Sequence, residues 1–265
     1  MGALGSYVNP TVALVALELR HPESGPVSSP AQARLKQFLA PQLPLLRPVT
    51  TNTIQAGSNV QTTVTSETAP RFLNRERTIS VTYRTSSIQV ETTRYTEYDV
   101  FRKLVWLATS ARQEVASIDG VERFGIRYIN EIRAPDGGLD LASWEPWISR
   151  ELLGPVAFTE PEYVGPTQLQ AMVNYQISQS STLALRYGVA EGYAVDPAGD
   201  LKRSTPPPTP FFLLDIDSFW LAKDDVPEFS VEEIMTKCDR LHKPARRLFD
   251  AVTTDRLKKE VLRER

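Results

Sequence analysis

The chain has 265 residues, enough for one large domain or two small ones with a sizeable hydrophobic core. It carries 30 Lys and Arg against 32 Asp and Glu, which excludes a globally basic nucleic-acid-binding protein but is compatible with a local basic patch. A single cysteine excludes disulfides within the chain and Cys-rich zinc sites, and two histidines leave few ways to build a His-dependent catalytic or metal site.

The first predicted element is a strand over residues 11–20, apolar on both faces except at Glu18. It is too short to span a bilayer and no Lys or Arg precedes it, so we expect a cytoplasmic protein without membrane contact. Ser29 then predicts the capped start of a helix. Residues 41–70 are rich in Thr, Ser and Gln and predict either a weak edge strand or a loop.

A hairpin and a long helix follow. Apolar residues alternate over 77–84 and over 88–92, which predicts two paired strands. Thr96 and Asp99 have the spacing of a capping box, and the helix that they open ends near Gly120.

The clearest strand covers residues 123–133 and has one apolar and one charged side. The charged side carries three arginines, and we call it the arginine face: Arg123, Arg127 and Arg133. Asn130 interrupts the apolar side. A buried Asn needs hydrogen-bond partners, so Asn130 either anchors a neighbouring loop or lines a pocket.

The second half of the chain begins at a Pro-Gly turn over residues 134–138. A helix over 141–153 and two alternating strands are predicted next. Residues 196–210 are rich in Pro and Gly and predict a long exposed hairpin loop. A strand over 211–220 and a helix capped by Ser230 complete the pattern.

These elements predict an α+β fold, because long helices follow runs of strands without regular parallel crossovers. We expect antiparallel sheet with long helices packed on one face, in a helix-grip or TBP-like arrangement. The chain divides into two similar α+β halves, residues 1–134 and 135–265, which we expect to form one compact unit.

Four short motifs occur in order over nearly the whole chain. They are the Glu-Leu-Arg end of the first strand, Phe-Gly-Ile-Arg-Tyr-Ile-Asn-Glu-Ile at 124–132, Leu-Asp-Ile-Asp at 214–217, and a closing segment with Leu241-His242, Phe249 and Thr254-Asp255-Arg256-Leu257. They resemble the motifs of a family known as sporadically distributed proteins, scattered through bacteria, their mobile islands and phages. The resemblance implies a role in genetic conflict, such as defence or antitoxin activity, and implies no particular reaction.

Asp215 and Asp217 lie two apart on a predicted strand, so their side chains project from one face. Such a pair can contribute to a site for Mg²⁺ when a further carboxylate or phosphate is present. Alternatively, the two carboxylates pair with Arg127 or Arg133 of a neighbouring strand and fix its register.

The arginine face has two interpretations. Guanidinium groups bind anions through two hydrogen bonds, so the face suits a phosphate, a carboxylate or a partner surface. If it is covered, nearby carboxylates must neutralise it. The sequence contains no Walker loop, no dinucleotide glycine pattern and no zinc-ligand spacing, and no Gly-x-Ser-x-Gly elbow supplies a nucleophile to His242. We therefore predict no catalytic residue, no metal and no cofactor.

These observations favour a non-enzymatic protein that recognises a protein partner, such as an antitoxin or a sensor in a phage-defence or mobile-element system, with the partner encoded by a neighbouring gene. The alternative is a small anionic ligand or nucleotide, bound between sheet and helices by Arg127 and Asn130. A third hypothesis is a metal-dependent nuclease; nucleic-acid binding is not favoured. The candidate binding residues are Arg123, Arg127, Asn130, Arg133, Asp215 and Asp217.

Overall fold

A computed structural model describes residues 7–56, 62–154 and 168–263. Its α-helices and strands are, in chain order, β1 (Val12–Arg20), α1 (Ser29–Leu39), β2 (Leu45–Leu46), β3 (Val49–Ala56), β4 (Thr62–Ala69), β5 (Arg71–Leu73), β6 (Ile79–Tyr83), β7 (Ser87–Thr92), α2 (Tyr98–Val115), β8 (Arg123–Ile132), β9 (Gln170–Ser178), β10 (Ser181–Ala190), β11 (Phe211–Leu221) and α3 (Val231–Val252). Short 3₁₀ helices cover Leu141–Trp144 and Arg150–Leu152, and a π-helical turn covers Leu257–Leu262.

The strands form one large sheet and one small sheet. The large sheet has the order β2-β5-β6-β7-β1-β8-β11-β10-β9, and its neighbouring strands pair antiparallel. β1 and β8 lie side by side near its centre, with β7 on the outer side of β1 and β11 on the outer side of β8. The prediction of an α+β fold with antiparallel sheet is confirmed.

The helices cover one face of the large sheet. Leu17 of β1 stands opposite Val90 of β7 and Ile126 of β8, and all three side chains are buried. α2 places Phe101, Val105 and other apolar residues, spaced three or four apart, against this face. Burying each such side chain contributes about 1.5–3 kcal/mol to the free energy of unfolding. Within the described ranges, the helices do not have the length and hydrophobicity that crossing a membrane requires.

The helix starts agree only in part with the predicted caps. Ser230 caps α3 by accepting a hydrogen bond from the Glu233 backbone, as expected. α1 begins one residue earlier than predicted, with Ser28 as its N-cap. The capping box at Thr96 was wrong, because α2 starts at Tyr98 and no side chain caps its first turn.

The predicted helix over residues 141–153 was also wrong. The structure has two separate 3₁₀ turns there, because Pro146 has no N–H to donate and its ring clashes with the preceding turn of a continuing helix. The apolar spacing that suggested a helix instead buries Trp144 and Trp147 completely. The Trp144 indole N–H donates to the carbonyl oxygen of Gly138 and holds the turn in place.

The sequence did not decide whether residues 41–70 and 196–210 are ordered, and the structure describes ordered backbone in most of both segments. β3 and β4 form a separate two-stranded sheet, and residues 57–61 between them lie outside the described residues. The loop over 196–210 is largely exposed, as predicted, and two of its residues attach it to the large sheet. Its Leu201 is buried, and the Arg203 side chain is only 7% exposed because it pairs with Glu131.

Gly188 of β10 allows the backbone of residue 169 to approach closely. A Cβ atom at Gly188 would lie 2.0 Å from the carbonyl oxygen of Leu169. We expect Gly188→Ala to lower the free energy of unfolding by about 1–3 kcal/mol, because backbone must move to accept the methyl group. Urea denaturation measures the change. Gly138→Ala is the control, since the nearest atom to its Cβ lies at 3.8 Å, and equal losses in both variants would contradict this account.

Candidate functional site

The predicted binding residues lie on two opposite faces of the sheet. The arginine face points away from the helices, and Asp215 and Asp217 of β11 lie there beside it. Asn130 lies on the helix side. Arg127 and Asn130 are three residues apart in one strand and therefore project to opposite faces. The prediction that Arg127 and Asn130 share one cleft is therefore wrong, because the structure places them on opposite faces of the sheet.

Arg127 forms the most regular ion pair of the arginine face. Its Nε and one terminal nitrogen each lie 2.7 Å from an oxygen of Asp215. The Asp215 side chain is only 5% exposed, and Arg186 of β10 approaches it to 3.4 Å from the other side. The hydrogen bonds that Arg127 donates to Asp215 raise the pKa of Arg127 above its usual value. Asp215 thus joins three strands by the pairing that the sequence offered as the alternative to a metal site.

The remaining arginines of the face are also paired. Arg123 bridges Glu18 at 2.9 Å and Asp217 at 3.2 Å. Burial raises the pKa of Asp217, although the charges of nearby arginines oppose that rise. The predicted pairing of Arg133 with Asp215 or Asp217 is wrong, because Arg133 pairs with Glu131 instead.

Glu131 is the most buried carboxylate of this network. Its side chain is 2% exposed and accepts hydrogen bonds from Arg133, Arg203 and the backbone N–H of Ala194. Burial alone would raise the pKa of Glu131, but the hydrogen bonds and charge of Arg203 lower it below its usual value. This arrangement ties the loop after β10 to the end of β8.

The arrangement does not favour a metal site at the two aspartates. Each carboxylate is already neutralised by arginine, Asp215 by Arg127 and Arg186 and Asp217 by Arg123. Within the ranges that the structure describes, no group of three or more His, Cys, Asp or Glu side chains is placed to hold a metal ion.

A cavity of about 260 Å³ lies on the opposite side of the sheet, between β1, β8, α3 and the start of α2. We call it the tyrosine cavity, and its aromatic lining consists of Tyr7, Tyr95, Tyr98, Tyr128, His242 and Phe249. Asn130 lies in its floor, 2% exposed, where its amide donates to the Leu214 carbonyl oxygen at 3.0 Å and its side-chain oxygen accepts from Thr11.

Hydrogen bonds hold three of the tyrosine rings in place. The Tyr7 hydroxyl donates to Asp250 at 2.9 Å, and the Tyr98 hydroxyl donates to Asp239 at 2.7 Å. The Tyr128 hydroxyl lies 2.9 Å from Nδ1 of His242. The rings are therefore oriented before any ligand enters, which lowers the entropy cost of binding.

His242 is stacked on Tyr98, with ring centroids 3.7 Å apart and an interplanar angle of 2°. Burial, together with the positive charge of Arg246, lowers the pKa of His242 to about 4. Burial also raises the pKa of Tyr128 well above its usual value. At neutral pH the cavity thus holds an uncharged imidazole and an uncharged phenol.

Among the residues that the structure describes, three charged ones line the tyrosine cavity. Glu97 and Asp99 are exposed and lie at the start of α2. The Nε of Arg246 lies 2.9 and 3.1 Å from the two oxygens of Asp250, and its guanidinium group lies over the ring of Tyr7, 4.5 Å from the centroid.

Only part of this cavity is predictable from the sequence. Asn130 was a candidate binding residue, and its position on an apolar strand face was the correct signal. His242 was noted without a role, and the tyrosines were missed. Tyr95 precedes the N-cap of α2 and Tyr98 begins the helix, so no helical spacing relates the two rings and the local sequence provides no signal for them.

Comparison with known proteins gives no further guide to function. No protein-family model matches the chain, and no curated protein matches it. The resemblance of its four motifs to the sporadically distributed proteins therefore stays a prediction.

Removal of the carboxylate at Asp215 tests the role of the arginine face. We expect Asp215→Asn to lower the free energy of unfolding by about 2 kcal/mol, because Arg127 and Arg186 lose their shared partner. The control is Glu260→Gln, whose pair with Arg256 is about half exposed, and we expect a change within about 0.5 kcal/mol. Similar urea midpoints for the two variants would show that the buried pair contributes no more than a surface pair.

The lowered pKa of His242 predicts a pH dependence of stability. Below the ordinary pKa of 6.5 the unfolded chain takes up a proton that the folded protein takes up only near pH 4. Stability is therefore lost as pH falls from 6.5 to 4, by on the order of 3 kcal/mol from this residue. We expect His242→Asn to flatten the profile over this interval, whereas Lys243→Gln retains it. A His242→Asn profile parallel to the wild type would refute the assignment.

Proposed function

We propose that the protein binds a small organic ligand in the tyrosine cavity. The observation that carries this proposal is a preformed cavity at the junction of sheet and helices, lined by aromatic rings that internal hydrogen bonds already orient. Ligand sites are typically concave, largely apolar and equipped with a few well-placed polar groups. The cavity has each of these properties.

The lining indicates the general chemistry of the ligand. Its rings suit a flat apolar group, since stacked or edge-to-face contacts between aromatic rings contribute favourable interaction energy. Tyr95 contributes a hydroxyl that has no hydrogen-bond partner among the described residues, and burial raises its pKa, so the hydroxyl stays protonated. A ligand with a ring and a polar group on its edge would satisfy both features.

The chemistry of the cavity supports binding without turnover. Its imidazole is held by a phenol, Tyr128, and a phenol with a raised pKa is a poor nucleophile. Cys238, the one cysteine of the chain, is buried behind Tyr98, and burial raises the pKa of its thiol to about 12. A thiol in that state is not a nucleophile at neutral pH.

Recognition of a protein partner through the arginine face stays a prediction. Its three arginines are already engaged by carboxylates of the same sheet. Arg127, 42% exposed, would have to exchange Asp215 for a partner's acid. These internal bonds make the tyrosine cavity the better-supported site. A cytoplasmic location and a role in phage or mobile-element conflict likewise stay predictions.

A substitution that fills the cavity tests the proposed function. Tryptophol, a neutral indole alcohol, serves as the probe, and NMR of the isotope-labelled protein follows its titration. We expect saturable shifts at residues that line the cavity. Val12→Phe places a ring into the cavity and should abolish these shifts without unfolding the protein, as its thermal midpoint will report.

The matched control is Val8→Phe, at an exposed position of the same segment that does not line the cavity. This variant should bind like the wild type. Shifts confined to another surface, or equal binding by both variants, would contradict the proposal.

A further inference from the structure

We propose that the ligand of the tyrosine cavity carries a positive charge next to its ring, as a protonated aromatic amine does. This inference rests on the proposed function and specifies its ligand class. It departs from the anionic ligand that the sequence suggested for the cleft, because Arg127, the cation invoked there, lies on the other face of the sheet.

The charges that line the cavity favour a cation. Arg246 is matched by Asp250, to which it forms two hydrogen bonds. Glu97 and Asp99 have no such arginine within the described ranges, and their charges act on the Tyr95 hydroxyl against the larger, opposing effect of Arg246. Since burial holds His242 neutral, the cavity presents two carboxylates that an incoming ammonium group can complement.

The aromatic lining favours the same charge. The rings of Tyr95 and Tyr128 lie 5.9 Å apart at 81°, so they form two walls of a corner. The negative faces of aromatic rings attract cations placed within about 6 Å of the centroid. Tyr7 of the same lining already interacts in this way with the guanidinium group of Arg246.

The helix dipole at the start of α2 favours an anion in the cavity. Its effect is smaller than that of the two carboxylates at the same helix end. A helix N-terminus acts as roughly half a positive charge. Glu97 is the N-cap and Asp99 lies in the first turn, so two full negative charges stand at that same end. At that end of the cavity, Glu97 and Asp99 therefore outweigh the helix dipole.

Three indole compounds of similar shape and different charge test the inference. Tryptamine is a cation at pH 7, tryptophol is neutral and indole-3-acetate is an anion. We expect tryptamine to bind about tenfold more tightly than tryptophol by isothermal titration calorimetry, and indole-3-acetate to bind most weakly. The preference for tryptamine should shrink at high salt, because Glu97 and Asp99 are exposed.

The double variant Glu97→Gln, Asp99→Asn identifies the source of the preference. It should reduce the ratio of tryptamine to tryptophol affinity to about threefold or less, and the ratio cancels any change in affinity that the two ligands share. Asp224→Asn, at an exposed position that does not line the cavity, should leave the ratio unchanged.

The outcomes separate this inference from the proposed function. If tryptophol binds in the cavity but indole-3-acetate binds as tightly as tryptamine, the ligand class is wrong and the binding function stands. An unchanged ratio in the double variant also overturns the charge assignment. If none of the three compounds binds, both proposals are overturned.

Discussion

The antiparallel pairing of β1 with β8 determines which side chains meet the helices and which form the arginine face. Leu17 stands opposite Ile126, and Glu18 lies beside Arg123. Because successive residues of a strand project to opposite faces, a slip of one residue would exchange the two sets. Asn130 would then leave the floor of the tyrosine cavity. The cavity and the ion-pair network therefore depend on one register.

The two faces specify this register by different physical effects. On the helix side, apolar burial supplies most of the free energy. On the arginine face, Arg127 and Asp215 contribute modestly to stability, because their attraction largely offsets the cost of removing them from water. Their main effect is to disfavour other strand registers, since a shift between β8 and β11 would leave the buried carboxylate of Asp215 without Arg127. The network thus acts chiefly through specificity.

Alternation made the strand at β8 predictable, including the separation of its apolar and charged sides. The same reasoning failed over residues 141–153, where helical spacing was real but Pro146 broke the backbone into two turns. Local sequence patterns could not predict the cavity, because Tyr7, Tyr95 and His242 come from three segments that are distant in sequence. Local sequence patterns report which face of an element is buried, not which elements leave a gap between them.

Asn130 shows how that gap is maintained. Its side chain is satisfied by Thr11 and by the Leu214 carbonyl oxygen, so it stabilises the floor of the cavity without needing a ligand. A larger apolar residue at this position would fill the space and lose both bonds. The walls come from α3 and from the start of α2, where Glu97 caps the helix without a side-chain hydrogen bond. The site is therefore built on rigid elements, and ligand binding needs little ordering of the chain.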